Sequence, residues 1–279
     1  MTFSTRKANF AGQFYPETQE ELGQLLHFIE KVEFNKINPL LADKLILGAI
    51  VPHAGYIYSG YHAVHVYELI KRNAQQFDTF VIINPNHSGK GHGDFNLSSA
   101  EQWETPLGSI AQDQAFLNEL NYEYFDLAHE NEHSGEVQLP FLQYFVAYPF
   151  KIAMITMNNQ TPENALSLAQ NLHRTAQKLD RKIMVIASSD FSHFEKVDVG
   201  FKKDQYLIEQ ILNLDTSECY KNVKKHHISA CGYGPIMTLI EYAKLQSNAP
   251  KMELLRRGNS GETNLTKKVV NYASFLCFE

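Results

Sequence analysis

The chain has 279 residues, of which 44% are hydrophobic and 20% charged, and this balance excludes a disordered or fibrous protein. Its formal net charge of −6 argues against a broad surface for nucleic acid or anionic membranes, because phosphate binding needs clustered lysine and arginine. No apolar run approaches the ~20 residues that span a bilayer, and three cysteines form no disulfide framework. We therefore expect a cytoplasmic globular protein without a signal peptide, without a nucleic-acid partner and without membrane insertion.

Apolar runs alternate with amphipathic segments along the chain, and they predict strands and helices respectively. The strands are nearly continuously apolar, which is typical of a sheet covered on both faces. The order of elements predicts an α/β sandwich with a largely parallel sheet. In chain order the predicted elements are strand Leu45–Val51, helix Tyr61–Arg72, strand Thr79–Asn84, helices Gln114–Leu120 and Glu136–Val146, strand Lys151–Met157, helix Pro162–Leu179, strand Lys182–Ser188, helices Phe201–Leu214 and Pro235–Leu245, and strands Met252–Arg257 and Val269–Phe278.

Three histidines follow predicted strands directly, in loops that also contain glycine, proline or serine. They are His53, His87 and His193. Ligands of open α/β sheets bind beyond the carboxyl ends of the strands, and a parallel sheet brings such loops to one edge. Imidazole is the commonest metal ligand and the usual acid–base group near neutral pH. A single loop histidine is usually hydrogen-bonded or solvated, but three at one sheet edge predict a functional site.

Two further segments carry reactive side chains. His133 and Glu136 are three residues apart, the spacing that puts both on one face of a helix at a site, although the same segment also fits a plain helix start with Ser134 as N-cap. Cys231 stands just before a predicted helix, where a thiol is suited to metal binding or nucleophilic chemistry. A small buried hydrophobe is the alternative interpretation of Cys231.

These segments together resemble the MEMO family, the mediator of ErbB2-driven cell motility proteins and their prokaryotic relatives. The resemblance spans nearly the whole chain and keeps the family's order of motifs. It implies a single domain over residues 1–279, with a largely parallel mixed sheet like that of the class III extradiol dioxygenases. The matching segments are RKA at 6–8, AGQFYP at 11–16, PHAGYIYSG at 52–60, NPNHSG at 84–89, EHSGEVQLPFLQ at 132–143, SSDFSH at 188–193 and CGYGPI at 231–236.

The resemblance also implies a mononuclear, non-haem iron or copper site. Its ligands would be His53, His87 and Cys231, and Asp190 and His193 would line the same cleft. Two imidazoles and a thiolate favour iron or copper over magnesium or calcium. In this hypothesis Asp190 orients a neighbouring imidazole, and His193 acts as the acid–base group.

Four more side chains are predicted around that cleft. His133 and Glu136 would assist the acid–base chemistry, whereas Tyr56 and Tyr58 would form the wall of the pocket that holds a small molecule or a peptide. The sequence leaves open whether the protein forms a homo-oligomer.

The leading hypothesis for function is a metal-dependent redox enzyme or a metal-handling protein. One alternative is a non-haem iron dioxygenase that acts on phenolic substrates. Another is a non-catalytic module that binds a peptide or small anion in the same cleft, with loop amides as donors. Zinc hydrolysis is a weaker alternative, because the chain lacks an HExxH motif.

Overall fold

The order of strands and helices is that of an α/β protein. The computed structural model describes residues 4–279. The described strands are β1 Thr5–Arg6, β2 Ile46–Val51, β3 Thr79–Pro85, β4 Phe95–Leu97, β5 Gln102–Thr105, β6 Gly108–Ala111, β7 Glu123–Tyr124, β8 Lys151–Met157, β9 Ile183–Ser188, β10 His193–Glu195, β11 Lys251–Asn259 and β12 Val269–Phe278. The described α-helices are α1 Gln19–Glu33, α2 Tyr56–Arg72, α3 Gln114–Leu120, α4 Leu127–Glu130, α5 His133–Glu136, α6 Leu139–Phe145, α7 Pro162–Leu179, α8 Val197–Leu212, α9 Thr216–Lys225 and α10 Tyr233–Gln246.

Four parallel strands form the centre of the main sheet, in the spatial order β2, β9, β3 and β8. Strand β12 pairs antiparallel with β2 and also carries β10 and β11, while β4 pairs antiparallel with β8 and parallel with β7. A separate three-stranded sheet joins β1, β5 and β6. The predicted α/β fold with a mixed sheet is therefore confirmed. The centre of the main sheet is parallel as predicted, but its described strand pairs are four parallel and four antiparallel. The predicted domain bounds of residues 1–279 stay a prediction.

Both faces of the sheet are covered, because strand side chains alternate between two hydrophobic cores. In β3, Val81 and Ile83 point into one core, which also contains the buried sides of α7 and α10. Phe80 and Ile82 point into the other, which contains the buried sides of α1 and α2. The described part of the chain includes no helix with the length and apolarity that membrane crossing requires.

The short strands β1, β4, β5, β6, β7 and β10 were not predicted, and the bounds of several helices differ from the predicted ones. The predicted helix 136–146 is shorter, because Glu136 ends α5 and a separate helix α6 follows; Pro140 in the first turn of α6 suits a helix start because proline lacks the N–H donor. Helix α2 begins at Tyr56, five residues before the predicted start. Helices α1 and α9 were not predicted, and the side chain of Thr18 caps α1 by accepting from the N–H of Glu21.

Candidate metal centre

The carboxyl ends of three adjacent parallel strands form the edge on which the site is built. Strand β9 lies between β2 and β3, so the loops that follow these strands are neighbours. His53 stands two residues after β2 ends, and His87 stands two residues after β3 ends. The sequence prediction that these two histidines converge is confirmed.

Three imidazoles meet at this edge and form what we call the histidine cluster: His53, His87 and His133. Each offers a ring nitrogen within 4.8 Å of one offered by each of the other two. The His53 ring stands nearly perpendicular to the other two, with centroids 5.2 Å from His87 and 5.4 Å from His133. The His87 and His133 rings are stacked, 4.8 Å apart. Three nitrogen donors so close together are chemically suited to a transition-metal ion.

The hydrogen bonds around His53 determine which of its ring nitrogens faces the cluster. The Ser188 hydroxyl donates its only proton to the carbonyl of Ser134, at 2.7 Å, and accepts from the amide of Gln138, at 2.9 Å. It must therefore accept from Nδ1–H of His53, 2.9 Å away. The lone pair is then on Nε2, which faces the cluster and Cys231, and burial with the neighbouring imidazoles holds the pKa of His53 well below its ordinary value.

Glu132 fixes His87 in the same way. Its carboxylate accepts from Nδ1–H of His87 at 2.9 Å and from the backbone N–H of His87 at 2.6 Å, so Nε2 of His87 is free. Burial opposes ionisation of Glu132, but its bonds to His87 and Ser134 lower its pKa to about 2. Burial opposes protonation of His87 as well, yet the hydrogen bond and charge of Glu132 raise the pKa of His87 above its ordinary value. Such a carboxylate–histidine pair is typical of metal sites.

His133 differs from the other two because aromatic rings pack against it, while the nearest carboxylate, that of Glu132, lies 3.8 Å from its Nδ1. Its ring stacks on Phe14 at 4.3 Å and meets the edge of Phe10 at 5.7 Å. Burial, reinforced by the charges of His87 and His193 and opposed by Glu132, lowers the pKa of His133 to about 4. His133 is therefore a neutral imidazole at pH 7, with a lone pair available.

Cys231 lies against His53. Its Sγ is 3.1 Å from Nε2 of His53 and accepts from the backbone N–H of Asp190 at 3.2 Å. The residue stands two positions before α10 begins, beside the loop that follows β9. Burial and the nearby Asp190 carboxyl raise the pKa of the Cys231 thiol well above its ordinary value, so the sulfur keeps its proton at pH 7 unless a cation displaces it.

Asp190 and His193 lie beside the same edge, and their role in lining a cleft stays a prediction. Asp190 accepts from the backbone N–H of His53 at 2.8 Å, so it holds the His53 loop rather than an imidazole nitrogen. Burial raises the pKa of Asp190. Nδ1–H of His193 donates to the carbonyl of Ser229 at 2.9 Å, so the lone pair of the neutral ring is on Nε2.

Glu136 serves a different purpose from the one its spacing suggested. It forms a buried ion pair with Arg6, and it also accepts from the backbone N–H groups of Asn9 and Phe10 and from the hydroxyl of Tyr15. Both carboxylate oxygens are engaged with the N-terminal segment. The geometry therefore gives Glu136 a positioning role, and acid–base chemistry at Glu136 stays a prediction.

The two predicted wall residues are separated in space. Tyr56 is in the core: its ring packs on Phe141 at 4.6 Å, and its hydroxyl donates to the carbonyl of Val137 at 2.6 Å. Tyr58 borders a cavity beside the His53 loop.

Sequence reasoning missed the residues that orient the imidazoles, namely Glu132, Ser188, Gln138 and Phe14. All four lie in segments that carry the family resemblance, but no local pattern assigns them a histidine partner.

Comparisons with known proteins show the relatives and the shared fold of this chain. The family model described as "Memo-like protein" matches residues 6–276. A MEMO1 family protein of Methanocaldococcus jannaschii is 39% identical, with 95% of this chain and 96% of the relative covered. A MEMO1 family protein of Methanococcoides burtonii is 35% identical, with 97% and 99% covered. Among solved structures, an uncharacterized protein from Escherichia coli K12 shares the fold, with a TM-score of 0.51, 8% identity, and 83% of this chain and 99% of that chain covered.

Proposed function

Because the chain belongs to the Memo-like protein family, we propose that it binds one iron or copper ion at the histidine cluster and Cys231. It would act as a metal-dependent redox enzyme or as a metal-handling protein. The observation that carries the proposal is the convergence of three imidazoles, two of which keep Nδ1 occupied and Nε2 free.

The donor set supports such an ion in two parts: the ring nitrogens of the three histidines lie within 4.8 Å of one another, and Cys231 contacts His53 alone among them. Ligand atoms held at about 2.1 Å (nitrogen) and about 2.3 Å (sulfur) from one ion, at angles near 90–110°, lie roughly 3.1–3.6 Å apart. The distance between Nε2 of His53 and Sγ of Cys231 is 3.1 Å, which supports both as ligands of one ion. We assign His87 as the third ligand and His133 as a neutral donor beside it. Imidazole and thiolate donors together favour iron or copper over calcium or magnesium.

A bound iron or copper ion would supply one-electron redox chemistry and a position for oxygen or an organic ligand. The residues around it would orient and exchange protons. Glu132 and Ser188 hold two imidazoles in the tautomer that binds metal, and His193 holds a free Nε2 that can take a proton.

Metal binding by purified variants tests the proposal. The protein is prepared anaerobically, its metal content is measured, and Fe(II) and copper are titrated in competition with a chelator. We expect His53→Ala, His87→Ala and Cys231→Ala each to lower affinity at least tenfold. His92→Ala, which removes an exposed loop histidine, is the matched control and should bind like the parent.

Two outcomes would contradict the assignment. If His53→Ala and Cys231→Ala both bind iron and copper like the parent, the metal proposal is wrong. If His133→Ala loses affinity while Cys231→Ala does not, His133 replaces Cys231 as a ligand.

Oxygen uptake separates the enzymatic forms of the proposal. Uptake by the iron-loaded protein with a phenolic or catecholic substrate would support an oxygenase, and its absence across a panel would favour metal handling. Peptide or phosphate binding that survives chelation would instead favour the non-catalytic module.

A further inference from the structure

A cavity of about 320 Å³ lies beside the histidine cluster and has no part in holding the proposed metal ion. Ala54, which directly follows His53, forms part of its wall. Tyr272 lines it as well, and burial and then the nearby Asp190 carboxyl raise the pKa of that phenol, which places Asp190 close to this wall. The cavity is at the lower end of the roughly 300–1,000 Å³ typical of ligand pockets, so it suits a molecule of about one ring.

The apolar side of the cavity is made by three aromatic rings, those of Tyr58, Phe194 and Tyr272. Phe194 is unusual in two respects. Its φ of 57° lies in the left-handed region, which bulky residues rarely adopt, and its side chain is 69% exposed. It also falls where the pairing register between β10 and β12 shifts. Bulges and strained backbone at such places re-aim side chains at functional sites, so this ring is presented to the cavity by the backbone.

The polar side of the cavity comes from the loop between β11 and β12. Ser260, Thr266 and Lys268 line it. The loop is tied to helix α2 by the hydroxyl of Thr263, which donates to the carbonyl of Ile57 at 3.0 Å. Within the described residues, Lys268 has no carboxylate within ion-pair distance. Its charge is therefore free to meet that of a ligand.

We propose that this cavity is the substrate pocket of the candidate metal centre and that it takes a small aromatic carboxylate. The ring lies between Phe194 and the two tyrosines, and the carboxylate meets Lys268. Only the claim that the bound molecule is a substrate rests on the proposed function. Binding of the molecule needs no metal.

Benzoate binding to the full, metal-free chain tests the pocket, measured by calorimetry or ligand-observed NMR. We expect saturable binding of benzoate, with benzamide and acetate each bound more weakly, because the first lacks the charge and the second lacks the ring. Lys268→Ala should weaken benzoate binding by about threefold to tenfold and leave benzamide binding unchanged. Added salt should weaken benzoate binding to the parent more than to Lys268→Ala.

Two matched variants complete the experiment. Lys267→Ala removes the same charge from the neighbouring residue, which does not line the cavity, and should bind benzoate like the parent. Phe194→Ala removes an exposed ring and should weaken both benzoate and benzamide.

The proposal is overturned if benzoate shows no saturable binding, if Lys268→Ala and Lys267→Ala behave alike, or if Phe194→Ala binds like the parent. Metal titration of the same variants keeps the two proposals apart. Lys268→Ala should retain parental metal affinity, whereas a parent that binds benzoate but neither iron nor copper would contradict only the metal proposal.

Discussion

At the scale of single residues, the chemistry of the site depends on what each imidazole is bonded to. His53 and His87 both donate through Nδ1, to a serine hydroxyl and to a glutamate respectively, and so both present Nε2 to the cluster. His133 is held by stacking on Phe14 instead. His53 and His133 have lowered pKa values and are neutral nitrogen donors at pH 7, whereas Glu132 raises the pKa of His87, so a metal ion would compete with a proton at that ring.

Glu132→Gln is expected to lower metal affinity by about tenfold to a hundredfold, the usual cost of losing an orienting carboxylate. The physical reason is that an amide can present its NH₂ group to Nδ1, which favours the tautomer that carries its proton on Nε2. Chelator competition measures the affinity. Glu130→Gln changes a nearby exposed carboxylate and is the control. Equal affinity in the two variants would contradict the orienting role of Glu132.

At the scale of elements, the parallel strands position the loops of the site, and the N-terminal segment of residues 6–15 packs against it. Residues 6–15 contact the short helices α4 and α5, and Arg6 and Glu136 anchor them through a buried ion pair whose side chains are 8% and 0% exposed. The guanidinium also donates to the carbonyls of His129 and Glu132. This anchor places Phe10 and Phe14 against His133, so a contact outside the cluster helps to orient one of its donors.

Arg6→Ala is expected to lower the free energy of unfolding by about 3–5 kcal/mol, because it leaves a buried carboxylate without its cation. Lys7→Ala is the matched control: its ion pair with Glu104 has side chains 73% and 38% exposed, and its loss should cost less than about 1 kcal/mol. Urea denaturation at pH 7 measures both. The anchoring role is wrong if Arg6→Ala is no less stable than Lys7→Ala.

At the scale of the whole molecule, buried neutral histidines link stability to pH. His129 is buried beneath the small sheet; its Nε2 lies 3.2 Å from the carbonyl of Asn96 and its Nδ1 lies 3.2 Å from the hydroxyl of Thr156. Burial first, and then the charge of Arg6, lower the pKa of His129 to about 4. An unfolded chain protonates this ring near its ordinary value of about 6.5.

Stability is therefore expected to fall as the pH drops from about 6.5 to 4, because the unfolded chain binds a proton that folded His129 does not. Within that window, His129 lowers the free energy of unfolding by about 1.4 kcal/mol for each unit by which the pH falls. Above about pH 6.5 its contribution is constant. Urea denaturation across the range measures the slope, which should decrease in His129→Gln. His27→Gln, at an exposed position, should keep the parental slope. A parental slope in His129→Gln would contradict this linkage.

Much of the fold and part of the site follow from local sequence patterns. Continuous apolar runs predicted strands such as Lys151–Met157, whose bounds the structure reproduces, since a strand covered on both faces must be apolar throughout. Chain order then placed the loops of His53 and His87 at one edge of a parallel sheet. The amphipathic helix α1 was not predicted, although its buried face repeats at helical spacing through Leu22, Leu26 and Ile29.

The sequence by itself determined the family, the central strands and two of the clustered histidines, because apolar periodicity and strand-end loops are local properties. Tertiary structure alone decided the partners: Glu132 meets His87 across 45 residues, and Ser188 meets His53 across 135. It also turned Glu136 toward Arg6. Such pairings depend on strand register and on the angle at which each loop leaves the sheet, and both are products of packing between segments far apart in the chain.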